Sequence, residues 1–348
     1  MYVQRGCRTA LLATLLFLVR TNMEKGNRFI PPGYLKGTYI QTILASSRIR
    51  LAGTNPMLDA SQDVVVDAGS GVRLLGSYSP QADRDAKGLA VLLHGWEGSS
   101  SSTYILHTGR YLYRLGYCVF RLNLRDHGPS HHLNEGLFYG TLLDEVFEAV
   151  RKACSFAQGR PAVLIGFSLG GNFALRIARR ASHDPIDNLR HVIAISPALD
   201  PGISTDMIDS NVLLKWYFMR KWKRSLAIKQ RLFPKLYDFS RILSMDSVRT
   251  MTDEMIRAYG TGTYENTDEY FRGYTLANGF FQEIAVPLTV VVSQDDPVIP
   301  VELFHELALN PKTELVVHEY GGHNGFVSKI SGEAWYEERI AGIFSQIP

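Results

Sequence analysis

The sequence predicts an α/β protein with a mostly parallel central sheet flanked by helices and interrupted by one helical insertion. Three observations carry that prediction. Apolar runs of strand length alternate with helix-length amphipathic stretches from Leu89 onward, and repeated strand–helix units imply parallel strands joined by crossover helices. Gly88-Leu-Ala-Val-Leu-Leu-His-Gly95 and Pro161-Ala-Val-Leu-Ile-Gly166 are almost wholly apolar, as strands covered on both faces are. The alternation stops after Ser196-Pro-Ala-Leu-Asp-Pro201 and resumes at Val286. Residues 202–283 between them read as short helices, a cap folded over the edge where such sheets place their sites.

Composition agrees with this class. The 348 residues are 45% hydrophobic and 20% charged, enough apolar material for a large core. A net charge of +3 gives no general case for nucleic-acid binding. Three cysteines, Cys7, Cys118 and Cys154, form no C-x-x-C pair. Buried free thiols at Cys118 and Cys154 suit a reducing, cytoplasmic setting.

Residues 1–27 stand apart. Arg5 and Arg8 precede the apolar run Ala10–Val19, which is too short to span a bilayer. Three readings remain open: a start of translation at Met23, a loose membrane anchor, or an export signal without a small-residue cleavage site. Residues 28–201 then form the first part of the α/β core, 202–283 the cap and 284–348 the second part.

Taken in order, residues 28–43 read as an irregular lead-in with two prolines. Val64–Val66 and Val72–Tyr78, joined by Asp67-Ala-Gly-Ser-Gly71, read as an antiparallel hairpin. After the Gly88–Gly95 strand come a helix over Tyr104–Leu115, a strand over Tyr117–Leu122 and a helix over Thr141–Phe156. A strand at Ala162–Gly166 and a helix from Ser168 to about Ser182 follow, with another strand at His191–Ile195. Beyond the cap come a strand at Val286–Val292, a helix over Val301–Leu309, a strand at Glu314–Val317 and a last helix over Glu333–Gln346.

Gly166-Phe-Ser-Leu-Gly170 carries the first chemical signal. A G-x-S-x-G turn between strand and helix holds its serine in a strained conformation with the hydroxyl exposed. That hydroxyl needs a histidine to take its proton and a carboxylate to orient the histidine. Both follow in the expected chain order, Asp295-Asp296 after one strand and His323 after the next. The spacing in Ser293-Gln-Asp-Asp-Pro-Val-Ile-Pro300 favours Asp296 as the acid and leaves Asp295 to cap the following helix. Two backbone N–H groups should stabilise the oxyanion, one from Leu169 and one from Trp96 in His94-Gly-Trp-Glu-Gly98, where His94 itself is structural.

Other motifs weigh less. Arg125-Asp-His-Gly-Pro-Ser-His-His132 gathers three histidines and an aspartate, but their spacing matches no metal-ligand pattern. Hydrogen bonds from Asp126 and His127 that brace the rim of the site are the simpler reading. No metal and no cofactor are expected, since no phosphate loop or dinucleotide fingerprint occurs. Between Asn211 and Lys235 stand Lys215, Arg220, Lys221, Lys223, Arg224, Lys229, Arg231 and Lys235 without one acidic residue, among Trp216, Tyr217, Phe218, Met219, Trp222 and Phe233. Such a helix reads as a solvated face with aromatics packed over the pocket, or as a peripheral contact with a membrane.

Together these residues resemble the YheT-like branch of the α/β-hydrolase superfamily, from about Phe29 to the C-terminus. The resemblance rests on Gln41-Thr-Ile43, His94-Gly-Trp-Glu-Gly-Ser99, Asn123-Leu-Arg-Asp-His-Gly128, the Ser168 turn, Asp295-Asp-Pro297 and Gly322-His323. Where that branch has Asn-Pro-His before Gln-Thr, this chain has Gly37-Thr-Tyr39. The resemblance implies the α/β-hydrolase fold and a hydrolase acting on carboxylic esters of short-chain or acylglycerol type. Acyl transfer through the same acyl-enzyme, and a non-catalytic binding protein on this fold, are the alternatives.

Overall fold

The computed structural model describes residues 28–347 except 83, 84, 261, 278 and 306. The N-terminal apolar run and Cys7 lie outside the described residues. The strands are β1 (Gln62–Asp67), β2 (Arg73–Ser79), β3 (Leu89–Leu93), β4 (Cys118–Leu122), β5 (Ala162–Phe167), β6 (Leu189–Ile195), β7 (Leu288–Ser293) and β8 (Thr313–His318). They form one sheet in the order β1-β2-β4-β3-β5-β6-β7-β8. β2 pairs antiparallel with both β1 and β4, and the remaining neighbours are parallel.

The longer helices are α1 (Thr38–Ser46), α2 (Thr103–Arg114), α3 (Leu143–Ser155), α4 (Leu169–Arg180), α5 (Pro201–Ser210), α6 (Val212–Leu232), α7 (Val248–Tyr259), α8 (Thr267–Arg272) and α9 (Trp335–Gln346). Strand alternation divides the core between the two faces of the sheet. Leu89, Val91 and Leu93 of β3 pack in one cluster with α3 and α4. Ala90 and Leu92 pack in the other with α2 and α9. Each buried leucine or valine contributes about 1.5–3 kcal/mol, so both faces must be covered for the apolar run of β3 to stay folded. Cys118 and Cys154 are buried free thiols.

The hairpin and the alternating core follow the sequence reading to within a residue or two at most ends. Two segments differ. The lead-in is not wholly irregular, because α1 forms after Gly37. Its buried Gln41 is fixed by groups from residue 327, a remote contact that local periodicity does not reveal. The helix expected over Val301–Leu309 is confined to Glu302–His305, and the Ala308 carbonyl accepts instead from the Gln282 side chain.

The parallel order splits at β3, with β4 on one side and β5 on the other. Loops leaving the carboxyl ends of β3 and β5 therefore diverge and leave a crevice between them. The described residues from Pro201 to Glu283 contain helices and no strand, and they reach over this edge. Among the described residues no helix is long and apolar enough to cross a membrane.

Candidate active site

Ser168 joins β5 to α4 with φ 54° and ψ −116°, a conformation that L-residues adopt at a cost of roughly 1–3 kcal/mol. Its neighbours explain how it is held. A Cβ on Gly166 would stand 2.1 Å from the Gly170 carbonyl oxygen, and one on Gly170 would stand 2.5 Å from the Leu93 and His94 carbonyl oxygens. A Cβ on Gly95 would lie 3.1 Å from the Ser168 Cβ. Glycine at these positions lets the turn after β3 press directly on the serine.

Trp96 and Leu169, whose amides are expected to receive an oxyanion, adjoin Gly95 and Ser168 at this contact. Leu169 is the first residue of α4, so its N–H has no acceptor within the helix. Trp96 lies in the turn closed by the Gly98 N–H on the Gly95 carbonyl at 2.9 Å. Behind the turn, His94 is fully buried. Its Nδ1–H donates to the Gly95 carbonyl at 2.8 Å and its Nε2 accepts from the Leu124 N–H at 3.1 Å. Both nitrogens are used with one proton, and burial pushes the imidazole pKa down to about 4. His94 is a neutral brace.

His323 sits in a tight loop after β8, where Gly322, Asn324 and Phe326 all have positive φ. Its Nδ1–H donates to Asp296, 2.9 Å from Oδ2 and 3.1 Å from Oδ1. The carboxylate can only accept, so the proton rests on Nδ1 and Nε2 keeps a free lone pair. Asp296 is itself fixed by the Val298 and Ile299 N–H groups at 2.8 and 3.0 Å. Asp295 does not cap the following helix as its position suggested. Its Oδ1 accepts from the Gly322 N–H at 2.8 Å, tying the two loops together one residue before the histidine.

With this geometry in view, comparison with known proteins decides the family. Residues 90–330 match the alpha/beta hydrolase family. The chain belongs to the α/β-hydrolase family. It is 24% identical to YheT of Escherichia coli (strain K12) over 90% of this chain and 91% of that protein. It is 24% identical to phospholipase ABHD3 of Bos taurus over 76% of this chain and 64% of that one. It is 25% identical to monoacylglycerol lipase of Saccharomyces cerevisiae (strain ATCC 204508 / S288c), over 76% and 61% respectively. The chain thus spans less than two thirds of the length of the last two.

In this α/β-hydrolase two cavities meet at Ser168. A narrow one of about 130 Å³ runs beneath the insertion between apolar residues such as Leu137, Ile208, Met255, Phe271 and Val298. A wider one of about 870 Å³ opens between α1 and α6, with His323, Thr42, Ser102, Arg48, Lys221 and Arg224 among its walls. Trp96 stacks on Phe218 with ring centres 5.5 Å apart and meets Trp222 edge-on. Those two aromatics of the basic run therefore pack over the pocket, whereas Trp216 and Tyr217 are exposed.

The Arg125–His132 loop braces this rim, though not quite as expected. Asp126 takes the Phe138 N–H at 3.0 Å and the Lys229 ammonium at 2.7 Å. His127 donates from Nδ1 to the Arg125 carbonyl at 2.7 Å, and His131 meets Ser225 of α6 at 2.8 Å. Lys229 is 1% exposed, so it belongs to neither a solvated face nor a membrane contact. It also donates to the Asn134 and Gly136 carbonyls at 2.7 and 3.0 Å. Burial pushes Asp126 up and Lys229 down, each opposed by its partner. This buried pair pins α6 to the core.

The sequence reading overlooked what α1 does. Thr42 Oγ donates to the Thr38 carbonyl at 2.8 Å and accepts from the His323 N–H at 3.0 Å. Gln41 Nε2 donates to the Leu35 and Val327 carbonyls at 2.8 and 3.0 Å, and its Oε1 accepts from the Val327 N–H at 2.8 Å. The Gln-Thr pair that marks the family resemblance grips the loop carrying His323. Its sequence signals were that resemblance and two polar residues set between Ile40 and Ile43.

Proposed function

We propose that this chain is a carboxylic ester hydrolase working through an acyl-enzyme on Ser168. The observation that supports it most is His323 Nδ1–H held on Asp296 at 2.9 Å, beside a cavity shared with the strained Ser168. His323 Nε2 takes the serine proton as Oγ attacks the ester carbonyl. Asp296 holds the tautomer and stabilises the imidazolium, and the Leu169 and Trp96 N–H groups receive the oxyanion. His323 then returns the proton to the departing alcohol, and water repeats the sequence to release the acid. The names of the phospholipase and monoacylglycerol lipase relatives favour lipid esters, acylglycerols among them. Any alcohol admitted to the acyl-enzyme would give acyl transfer instead of hydrolysis.

Ser168→Ala should lower turnover of p-nitrophenyl butyrate by about 10⁴-fold or more and abolish labelling by a fluorophosphonate, with an unchanged circular dichroism spectrum. Wild-type rates in that variant would end this reading.

A peripheral lipid contact has its own observation. Val212, Leu213, Trp216 and Tyr217 of α6 and Tyr39, Ile40 and Ile43 of α1 are exposed, and several of them rim the wider cavity. Lys215, Arg220, Lys221 and Arg224 flank them on α6. Apolar side chains within a basic collar suit an anionic lipid surface. Cosedimentation with phosphatidylglycerol vesicles, but not with phosphatidylcholine vesicles, is the expected result.

A further inference from the structure

Glu97 is poorly suited to the place it occupies. It is the third residue of the turn closed by Gly98 on Gly95, and its φ is +54°. Glycine or asparagine is the usual occupant of such a position, and a longer side chain there is strained. Strain of this kind survives in hydrogen-bonded turns when the side chain repays it locally. Glu97 makes no hydrogen bond or ion pair with another described residue. Glu97 lines both cavities instead, together with Ser168 and with Trp96, whose amide is expected to hold the oxyanion.

We infer that Glu97 is a specificity residue that hydrogen-bonds a free hydroxyl on the alcohol half of the ester, as in a glycerol-like leaving group. This rests on the hydrolase reading for which half of the substrate lies where. The narrow cavity is walled mainly by apolar side chains such as Ile208, Met255 and Phe271 and suits an acyl chain; the wider one carries Thr42, Ser99, Ser102 and Thr103 and suits the alcohol. Glu97 stands at their junction. Loss of water pushes its pKa up to about 8, with Lys221 on α6 opposing and Asp126 reinforcing the rise. A neutral carboxyl both donates and accepts, as a hydroxyl does, whereas an ether oxygen can only accept.

The test is binding to Ser168→Ala protein, measured by calorimetry at pH 6.5. The two probes are 1-butyrylglycerol and its 2,3-di-O-methyl ether. The expected result is about tenfold tighter binding of the free glycerol ester, the size of one buried hydrogen bond. That preference should be retained with Glu97→Gln added and lost with Glu97→Leu added. Equal affinities for the two esters, or a preference that survives Glu97→Leu, would overturn the inference. Glu97→Asn supplies a second check: it should fold with an equal or higher Tm, since asparagine tolerates positive φ. A large drop in Tm would give Glu97 a structural role and overturn the inference as well. Whether Ser168 is the nucleophile is read separately from turnover, so the two failures cannot be confused.

Discussion

The Ser168 turn and the His323 loop face one cavity but are held by opposite means. Ser168 is fixed by short-range sterics, glycines at 166 and 170 folding back on the ends of β3 and β5. His323 is fixed by side chains far away in the chain, Thr42 and Gln41 on α1 and Asp295 and Asp296 after β7. The first corner depends on what is missing, a Cβ, and the second on polar groups that must each be present. One should fail abruptly and the other by degrees.

The largest effect should come from the sterically held corner. Gly170→Ala places a Cβ against two backbone carbonyls that belong to the sheet and cannot yield. A loss of about 3 kcal/mol or failure to fold is expected, read by urea unfolding. A loss under about 1 kcal/mol would show that the β3 edge gives way and that the sterics are not what hold the serine. Next comes Gln41→Ala, which leaves the buried carbonyls of Leu35 and Val327 short of a donor and the Val327 N–H without its acceptor. It should cost about 2–3 kcal/mol. It should also raise hydrogen exchange in residues 321–327 more than around Ser168, and equal changes in both regions would erase the contrast.

A smaller effect isolates the grip on the histidine. Thr42→Val keeps the shape of the side chain and removes the acceptor of the His323 N–H. The expected outcome is kcat reduced about tenfold with KM nearly unchanged, restored by Thr42→Ser. Equal kcat values in the valine and serine variants would remove Thr42 from any positioning role.

The mildest perturbation is acid. His94 behind the Ser168 corner titrates near 4 when folded against 6.5 unfolded, and His131 at the rim behaves alike. Between those values the unfolded chain binds the extra protons. The contribution of these two histidines to stability is therefore full above pH 6.5, falls as pH drops toward 4 and levels off below. Tm measured from pH 7.5 to 4 should decline over that window, and His94→Asn should flatten part of the decline. A flat wild-type profile would mean that His94 is not held neutral.

These contrasts mark how far the sequence could be read. The G-x-S-x-G turn and the apolar strands are short-range patterns, legible because each is fixed within a few residues. The aspartate pair was only half legible. Spacing favoured Asp296, but the partner of Asp295 is Gly322, 27 residues on. Lys229 was misread because eight basic residues in one stretch look alike until one of them meets Asp126.

The sequence by itself determined an α/β sheet with a helical interruption, and a serine on a strained turn, because periodicity and glycine sterics act locally. Only the tertiary structure decided that α1 grips the histidine loop and that a buried lysine pins the insertion. It alone also left Glu97 lining the cavity without a hydrogen-bond partner among the described residues. Those facts depend on which distant groups share a low-dielectric interior. There an unpaired polar group costs kilocalories, so the partners it finds are set by the whole fold.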